Sequence, residues 1–262
     1  MAAARRYARL ADGGHAFYAL VEGDRVRELP GEPFSGSDRP GDSRPLAGLT
    51  WLPPCTPRTI VCIGRNYRAH AAELGNEVPR EPLLFLKPPS ALLPHRGVIR
   101  LPAVSHRVDF EGEIAVVIGR TARRVPESRA LEHVFGYTCL NDVTARDLQR
   151  QDVQFTRAKG FDTFCPVGPS IAAGLAHETL AIRTLLNGAL RQSAGAAEMM
   201  FGVPALISYV SGIMTLSPGD LIATGTPAGV GPLAAGDEVT VSIEGVGDLV
   251  NRVEADARLA PR

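Results

Sequence analysis

The chain has 262 residues, near the upper end of the size of one domain, so we expect one large hydrophobic core or one core with a small appendage. Hydrophobic residues make up 45% of it and charged residues 21%, a composition that excludes an intrinsically disordered protein. The 28 basic and 28 acidic residues balance, so no net charge draws the protein to nucleic acid or to an anionic membrane, and we predict neither as a partner.

The first residues predict neither a secretory signal nor a membrane span. Arg5, Arg6 and Arg9 interrupt the first ten residues, and no window of 18 residues in the chain is continuously apolar. An arginine-rich start is also typical of an organellar transit peptide, but a strand pattern follows too soon, at residues 17–21. We therefore expect a cytoplasmic protein.

The N-terminal part is predicted to be a small β subdomain. Residues 16–29 alternate around Glu22-Gly23-Asp24 as a hairpin does, and residues 30–50 are rich in Pro, Gly, Ser and Asp, which indicates a linker. We therefore divide the chain into an N-terminal subdomain with its linker, residues 1–55, and a main domain, residues 56–262.

The main domain is predicted to open with a strand and a helix. Residues 59–64 form a short apolar, β-branched run that favours a strand. Residues 66–74 have the pattern of a helix with Asn66 as its N-cap and Gly75 as its stop.

Strands dominate the rest of the sequence. They are predicted over residues 83–86, 111–119, 135–141, 180–190 and 238–243, with Asn187-Gly188 as a hairpin turn inside the fourth. Helices are predicted over residues 144–151 and 203–214, the second with one apolar face formed by Leu206, Val210, Ile213 and Met214. Because strands outnumber helices and do not alternate with them regularly, we predict a β-rich α+β fold with short peripheral helices rather than a doubly wound sheet.

Two glutamates at the start of an apolar run are the first candidate site. Glu111 and Glu113 are two residues apart, so on a strand both carboxylates point to the same side. Two like charges beside an apolar sheet cost several kcal/mol unless a cation compensates them, and a divalent ion with oxygen ligands could do so. The alternative is a solvated edge of an exposed face, which is the more common setting of an isolated E-x-E pair.

A third carboxylate follows the strand predicted over residues 135–141. Asp142 could equally be a helix N-cap at this position. If the two strands are neighbours, however, three carboxylates converge on one point, an arrangement that suits Mg²⁺ because this ion keeps several of its waters. The sequence has no cluster of His and Cys and no C-x-x-C spacing, which argues against zinc.

Other candidate side chains lie at helical positions. His70 and Glu73 are three residues apart and could pair as an imidazole base with its orienting acid, and Arg146 and Gln149 have the same spacing and could grip a carboxylate. Lys159 is one of only two lysines, and its amine could transfer a proton where a guanidinium group could not. For both pairs the alternative is a solvated helix face, and for the lysine it is chance retention.

A glycine-rich loop over residues 225–232 could present backbone N–H groups to an anion. It lacks the ending of a P-loop and the spacing of a dinucleotide site, so we interpret it as a substrate-facing loop. The sequence also lacks G-x-S-x-G, which weighs against a serine hydrolase.

Six segments together resemble the fumarylacetoacetate hydrolase family, in the small form that includes acylpyruvate hydrolases, oxaloacetate decarboxylases and the isomerase/decarboxylases of homoprotocatechuate breakdown. The resemblance covers about 200 residues, and it depends on the combination of motifs because each motif alone is weak. In order, the segments are IVCIGRNYRAH (60–70), FLKP (85–88), FEGE (110–113), NDVTARD (141–147), AKGFD (158–162) and TGTPAGVG (224–231).

The resemblance implies a mixed β-sandwich roll, a homodimer, and Mg²⁺ or Mn²⁺ bound by Glu111, Glu113 and Asp142. It also implies that His70 and Glu73 lie on a lid helix that delivers an activated water. Four residues would contact the substrate or stabilise an enolate: Arg146, Gln149, Lys159 and Thr226. Larger members of the family carry a fourth acidic ligand ahead of the lid histidine; residues 62–67 contain none, which favours the branch with small substrates.

The function implied is that of a divalent-metal-dependent enzyme acting on a 2-oxo acid or its enol. We expect hydrolytic cleavage of a C–C bond in an acylpyruvate-type substrate. Decarboxylation or isomerisation of oxaloacetate or of a 2-hydroxymuconate-type dienoate stays open, because the same metal ligands serve all three reactions. A metal-binding protein without catalysis is a remote alternative.

Overall fold

A twelve-stranded sheet is the largest element of the fold, seen in a computed structural model that describes residues 4–36, 39–73, 75 and 77–256. In chain order the strands are β1 (Arg5–Asp12), β2 (His15–Glu22), β3 (Arg25–Glu28), β4 (Ser43–Pro45), β5 (Thr50–Leu52), β6 (Ile60–Gly64), β7 (Leu83–Lys87), β8 (Leu92–Leu93), β9 (Val98–Leu101), β10 (Val108–Phe110), β11 (Gly112–Ile118), β12 (Val134–Asn141), β13 (Thr144–Ala145), β14 (Cys165–Ala173), β15 (Ala181–Leu186), β16 (Ala189–Gly195), β17 (Leu221–Ala223), β18 (Gly231–Pro232), β19 (Glu238–Ile243) and β20 (Gly247–Ala255). The α-helices are α1 (Arg68–Glu73), α2 (Arg146–Gln151), α3 (Thr156–Lys159) and α4 (Val203–Ile213).

The strands form three sheets. The large sheet has the order β4-β3-β2-β1-β14-β12-β11-β17-β6-β7, and β5 and β8 pair with β1 and β14. A second sheet has five strands in the order β16-β15-β19-β20-β9, and a third joins β13, β10 and β18. Most pairs are antiparallel, but β6 and β17, β8 and β14, and β9 and β20 are parallel, so the two larger sheets are mixed.

The main hydrophobic core lies between the two larger sheets. Ile114 and Ile222 from the large sheet pack with Ile182 and Val241 from the five-stranded sheet, and one face of α4 covers the same cluster. Two facing sheets with a few short helices around them confirm the predicted β-rich α+β sandwich.

Strand β11 is buried on both faces along its whole length. Its alternate residues Ile114, Val116 and Ile118 enter the main core, while Ala115 and Val117 enter a second apolar cluster on the other face. A strand covered on both sides has a continuous apolar sequence rather than an alternating one. Glu111 and Glu113 are therefore attached to the beginning of a strand that packing fixes on both faces.

The N-terminal strands extend the large sheet, because β1 pairs with β14. The predicted hairpin is confirmed as β2 and β3. The prediction of a linker over residues 30–50 is wrong in part, because β4 lies within it and pairs with β3. Strand β4 is at the edge of the sheet, where the proline at its end costs no ladder hydrogen bond.

Helix α1 begins at Arg68, two residues later than predicted, and Asn66 is not its N-cap. The amide of Asn66 donates to the carbonyls of Phe201 (3.0 Å) and Thr224 (2.8 Å) and accepts from the Phe201 N–H (2.8 Å), so it joins three segments instead. The predicted last helical residue, Leu74, lies outside the described residues.

The other two predicted helices also differ at their ends. Helix α2 begins at Arg146, because the two residues before it form β13. Helix α4 buries a face centred on Val203, Ile207 and Val210, while Ile213 lies to one side of that face and is 59% exposed, so the predicted apolar face is not the buried one at Ile213.

The hairpin turn predicted at Asn187-Gly188 is confirmed between β15 and β16, where both residues have positive φ, 53° and 79°. Among the described helices, none has both the length and the apolar composition needed to cross a bilayer.

Candidate metal centre and active site

Three buried carboxylates meet where β11 begins and β12 ends. Glu111 directly precedes β11, Glu113 is its second residue, and Asp142 directly follows β12. The strands are antiparallel with Gly112 opposite Asn141, so the start of one lies beside the end of the other. One carboxylate oxygen of each acid lies within 4.8 Å of the other two. The structure thus brings together the three residues predicted as metal ligands.

Both lysines of the chain lie at this cluster. The Nζ of Lys159 donates to Glu111 Oε2 (2.8 Å) and to Asp142 Oδ2 (2.5 Å). The Nζ of Lys87 donates to Asp142 Oδ1 (2.6 Å) and to the carbonyl of Val143 (3.1 Å). Both lysines are buried, so these ion pairs are shielded from water and from salt.

The guanidinium group of Arg146 joins the acid cluster to a further buried carboxylate. Its Nε donates to Asp109 Oδ2 (3.0 Å), its Nη2 to Glu111 Oε1 (2.5 Å) and its Nη1 to Gln149 Oε1 (2.7 Å). Asp109 also accepts from Arg107, at 2.9 Å and 3.2 Å. Since a guanidinium group has five N–H donors, these bonds leave two of them for a ligand.

The pKa values of the acids diverge because their neighbours differ. Burial raises the pKa of Glu111, but the positive charges of Lys159 and Arg146 outweigh it and hold that pKa below its usual range. Burial and the negative charges of Asp142 and Glu111 raise the pKa of Glu113 well above its ordinary value. Burial alone would lower the pKa of Lys159, but Asp142 and Glu111 raise it, so this amine stays protonated.

Glu113 is the acid that the protein leaves least compensated. Its carboxylate accepts a hydrogen bond from the Gly225 N–H (2.8 Å), and within the described part of the chain no basic side chain forms an ion pair with it. An added cation beside Glu113 would relieve the repulsion among the three acids. The donors are carboxylate oxygens only, so they fit a hard divalent ion such as Mg²⁺ or Mn²⁺.

His70 and Glu73 face each other on α1, as their spacing predicts. His70 is buried, and its Nδ1 lies 3.4 Å from Glu73 Oε2. The carboxylate of Glu73 also accepts from the Gly229 N–H, at 3.1 Å and 3.2 Å. Glu73 therefore connects the imidazole ring to the glycine-rich loop.

The glycine-rich loop binds anionic groups of the protein itself. The N–H groups of Gly225 and Gly229 donate to Glu113 and Glu73, respectively. The hydroxyl of Thr226 donates to the carbonyl of Gly112 (2.8 Å). Thr226 still lines the cavity, but its hydroxyl hydrogen is already used within the protein.

A cavity of about 230 Å³ opens beside the acids. Its wall combines charged groups with apolar side chains, so it can hold a small polar ligand away from bulk water. All the predicted site residues except Glu73 line it: His70, Glu111, Glu113, Asp142, Arg146, Gln149, Lys159 and Thr226.

Sequence reasoning missed three residues of this network. Asp109 is two residues before Glu111, so on a strand its side chain points to the same side as those of Glu111 and Glu113, and this alternation could have revealed it. Lys87 is one of only two lysines, and this rarity could have marked it as a functional residue. Gln192, whose buried amide contacts Gly112 and Thr226, lies on another sheet and carries no local signal.

The fold is that of a known class of enzymes. Residues 59–254 match the family described as fumarylacetoacetate (FAA) hydrolase C-terminal, and residues 5–54 match a family described as Rv2993c-like, N-terminal. The chain belongs to the fumarylacetoacetate hydrolase family, as its motifs predicted. Enzymes of this family are generally metal-dependent, in agreement with the acidic cluster.

Three similar proteins span most of the chain. Protein Rv2993c of Mycobacterium tuberculosis is 45% identical over 95% of this chain and 97% of its own length. The mitochondrial oxaloacetate tautomerase FAHD1 of Arabidopsis thaliana is 45% identical over 74% of this chain and 90% of its own. A crystal structure of 2-hydroxyhepta-2,4-diene-1,7-dioate isomerase from Mycobacterium marinum has a TM-score of 0.90, 42% identity, and coverage of 97% of this chain and all of that chain.

Proposed function

We propose that the protein is a divalent-metal-dependent isomerase that interconverts the keto and enol forms of a small 2-oxo acid such as oxaloacetate. The observation that carries the proposal is the buried cluster of three acids, in contact with both lysines of the chain, on the wall of a cavity of about 230 Å³. The tautomerase and the isomerase among the similar proteins support the choice of reaction.

Glu111, Glu113 and Asp142 would hold the ion, which we propose to be Mg²⁺ or Mn²⁺. When bound, such an ion supplies Lewis acidity, which polarises the 2-oxo group and makes the hydrogens on the neighbouring carbon more acidic.

The charged side chains that line the cavity favour a dianionic substrate. Four of them are basic and three are acidic, and a bound divalent ion would add two positive charges, so the wall would carry an excess of positive charge. A 2-oxo dicarboxylate would compensate most of this excess, and uncompensated charge is costly away from bulk water. The seven residues are Arg65, Arg146, Arg150, Lys159, Glu111, Glu113 and Asp142.

The side chains of the site divide the remaining work. The two free N–H groups of Arg146 suit a substrate carboxylate, and the amide nitrogen of Gln149 lies beside them. The protonated amine of Lys159 can donate a hydrogen bond to an enolate oxygen. With Glu73 as acceptor, Nδ1 of His70 carries a proton and Nε2 is free to take one from the carbon beside the 2-oxo group, while the ammonium group of Lys159 gives a proton to the enolate oxygen. The reverse reaction returns both protons, and exchange with solvent resets the two side chains after each turnover.

Hydrolysis of an acylpyruvate is a second candidate, and the pairing of His70 with Glu73 favours it. The same free Nε2 could take a proton from water instead of from carbon, while the Glu73 carboxylate stabilises the imidazolium group that forms. The two reactions differ in product, because only hydrolysis releases pyruvate.

An absorbance assay tests the proposal. The enol of oxaloacetate, an acylpyruvate and a 2-hydroxymuconate-type dienoate would each be mixed with EDTA-treated protein, with and without added Mg²⁺. We expect loss of oxaloacetate enol absorbance at least about tenfold faster than with Mg²⁺ alone, a modest demand for an enzyme. Pyruvate release from the acylpyruvate would select the hydrolase instead, and the absence of Mg²⁺-dependent turnover of any substrate would contradict both functions.

We further propose that the chain acts as a homodimer in the cytoplasm, as its sequence and family resemblance predicted.

A further inference from the structure

A buried amide on the five-stranded sheet contacts the backbone between two of the proposed metal ligands. Gln192 lies on β16 and is 1% exposed. Its Oε1 accepts from the Gly112 N–H (3.0 Å), and its Nε2 donates to Thr226 Oγ1 (2.8 Å) and to the carbonyl of Pro227 (2.8 Å). Both N–H groups of this amide are used, and its oxygen accepts one of the two hydrogen bonds that it can accept.

The contacts close a ring. Thr226 Oγ1 accepts from Gln192 and donates to the carbonyl of Gly112 (2.8 Å), while the N–H of Gly112 donates to Gln192. The N–H belongs to the peptide that joins Glu111 to Gly112, and the carbonyl belongs to the peptide that joins Gly112 to Glu113. Both peptides between the two acids are therefore held.

Glycine is the only residue that fits at position 112. A Cβ there would lie 2.0 Å from Thr184 Oγ1, which belongs to the neighbouring strand β15. Glycine also has the greatest backbone freedom of any residue, so rotation about its bonds would change the relative direction of Glu111 and Glu113. The ring through Gln192 removes this freedom.

The same strand supports the loop that contacts Glu73. A Cβ on Gly229 would lie 2.1 Å from the carbonyl oxygen of Arg191, the residue before Gln192, so the loop packs directly on β16. The Gly229 N–H donates to Glu73, which faces His70. Strand β16 thus supports both the acid pair and the anchor of α1.

We propose that Gln192 is a positioning residue for the metal centre: its amide holds Glu111 and Glu113 in the relative orientation that lets both bind one cation. This inference rests on the proposed function in one respect, namely that these acids bind a divalent ion. Gln192 itself does not line the cavity, so it would touch neither the ion nor the substrate and would act through Gly112 and Thr226.

Titration of Mn²⁺ into the metal-free, full-length protein tests the inference by calorimetry. Gln192→Met keeps the volume of the side chain and removes its amide. Partners of ligands in metal sites affect affinity by about 10-fold to 100-fold, and we expect a loss of Mn²⁺ affinity in that range. A Kd within about twofold of the wild-type value would overturn the inference.

Asn251 offers a matched control. It is an equally buried amide, 1% exposed, and its Nδ2 donates to the carbonyls of Pro94 (2.9 Å) and Gly97 (3.0 Å), away from the acids. Asn251→Leu should lower Tm as Gln192→Met does and leave the Kd for Mn²⁺ unchanged. An equal loss of affinity in both variants would mean that general destabilisation is the cause and would overturn the inference.

Thr226→Val provides a second, shape-conserving variant should Gln192→Met fail to fold. It removes the other half of the ring, so we expect it also to weaken Mn²⁺ binding. In the double variant, the fold-increase in Kd should be smaller than the product of the fold-increases in the two single variants. A fold-increase equal to that product would contradict a shared ring. A wild-type protein that binds no Mn²⁺ would overturn the proposed function itself, whereas normal binding by both variants would overturn only the role of Gln192.

Discussion

Glu113 is the residue on which a metal would have the greatest effect. Glu111 and Asp142 already have buried lysine or arginine partners, whereas Glu113 has a backbone N–H and two negative neighbours. Burial is the largest cause of the raised pKa of Glu113, and repulsion from the negative charges of Asp142 and Glu111 raises it further. The metal-free site is consequently under electrostatic strain that is localised at one carboxylate.

We expect Glu113→Gln to abolish the stabilisation of the protein by Mg²⁺. Wild-type protein should gain about 2.7 kcal/mol in free energy of unfolding at Mg²⁺ concentrations near 100 times Kd, and the variant should gain none. Without metal, the variant should be at least as stable as wild type, because an amide removes the repulsion and can still accept from Gly225. Thermal unfolding with Mg²⁺ and with EDTA measures both effects.

The control for this experiment is Glu132→Gln. Glu132 is an exposed acid paired with Arg129 and is not one of the three clustered acids, so its substitution should leave the shift in Tm with Mg²⁺ intact. A shift that persists in Glu113→Gln would mean that the ion binds elsewhere.

Individual residues differ in how far the sequence reveals them. Glu111 and Glu113 could be predicted because the alternation of a strand is a local rule, and Asp142 because it ends the next apolar run. Gln192 could not, because its hydrogen bond to Gly112 depends on how two sheets pack across 80 positions of sequence. The hydroxyl of Thr226 was expected to face substrate, and only the structure reveals that Gly112 takes its hydrogen.

At the scale of elements, helix α1 depends on its contacts with the rest of the fold. It has six residues, too few for a helix to be stable without tertiary contacts, so its position depends on the burial of His70 and Ala71 and on the contact between Glu73 and Gly229. The histidine that it carries is therefore placed by the loop after β17 as much as by the helix.

His70→Ala should separate acylpyruvate hydrolysis from oxaloacetate decarboxylation, the alternative that the sequence leaves open. We expect a loss of about 10²-fold to 10⁴-fold in kcat for acylpyruvate hydrolysis, where His70 would be the base for water, and a loss below about tenfold for oxaloacetate decarboxylation, which needs no water. Steady-state kinetics with both substrates measures the difference. Arg68→Ala, an exposed position on the same helix, is the control and should affect neither. Equal losses in both reactions would make His70 a support for α1 rather than a base.

Elements were predicted where their sequence has one uninterrupted signal. Strands β6, β11, β12 and β19 are continuous apolar or alternating runs, and each was found close to its predicted bounds. Strand β14 was not predicted, because Pro166, Gly168 and Pro169 within it are turn signals. Its pairing with β12 has a register shift, which accommodates these residues in the centre of the sheet.

At the scale of the whole molecule, the large sheet ends in an edge strand with an exposed apolar side chain. Strand β7 pairs with β6 on one side, and Leu86 is 51% exposed, whereas Leu83 on the same strand lines the cavity. Uncovered apolar edges of this kind promote association. A second copy of the chain covering this edge would bury Leu86, in keeping with the predicted homodimer.

Light scattering should therefore give the mass of two chains, and Leu86→Asp should shift the protein toward one chain at micromolar concentration. The physical reason is that a charge at the centre of an apolar contact must be desolvated on association. Ile213→Asp is the matched control, since Ile213 is 59% exposed at the end of helix α4 rather than on the edge of a sheet, and it should leave the mass unchanged. A wild-type mass of one chain would contradict the homodimer.

The class of fold was predictable, but the way in which its parts connect was not. A count of strands and helices suffices for a β-rich α+β fold. The pairing of β1 with β14 joins Tyr7 to Ile171, and no local pattern reports a contact over such a separation. The proposed boundary near residue 55 therefore lies within a chain whose two parts share one sheet.

The order of the site residues along the chain has a consequence for biosynthesis. Lys87, the acids and Lys159 leave the ribosome well before Gln192 and the loop that begins at Gly225. Until that loop emerges, the nascent polypeptide lacks both the hydrogen-bonded ring through Gln192 and the Gly225 N–H group that donates to Glu113. The proposed binding of a cation should consequently follow the synthesis of this loop rather than initiate folding.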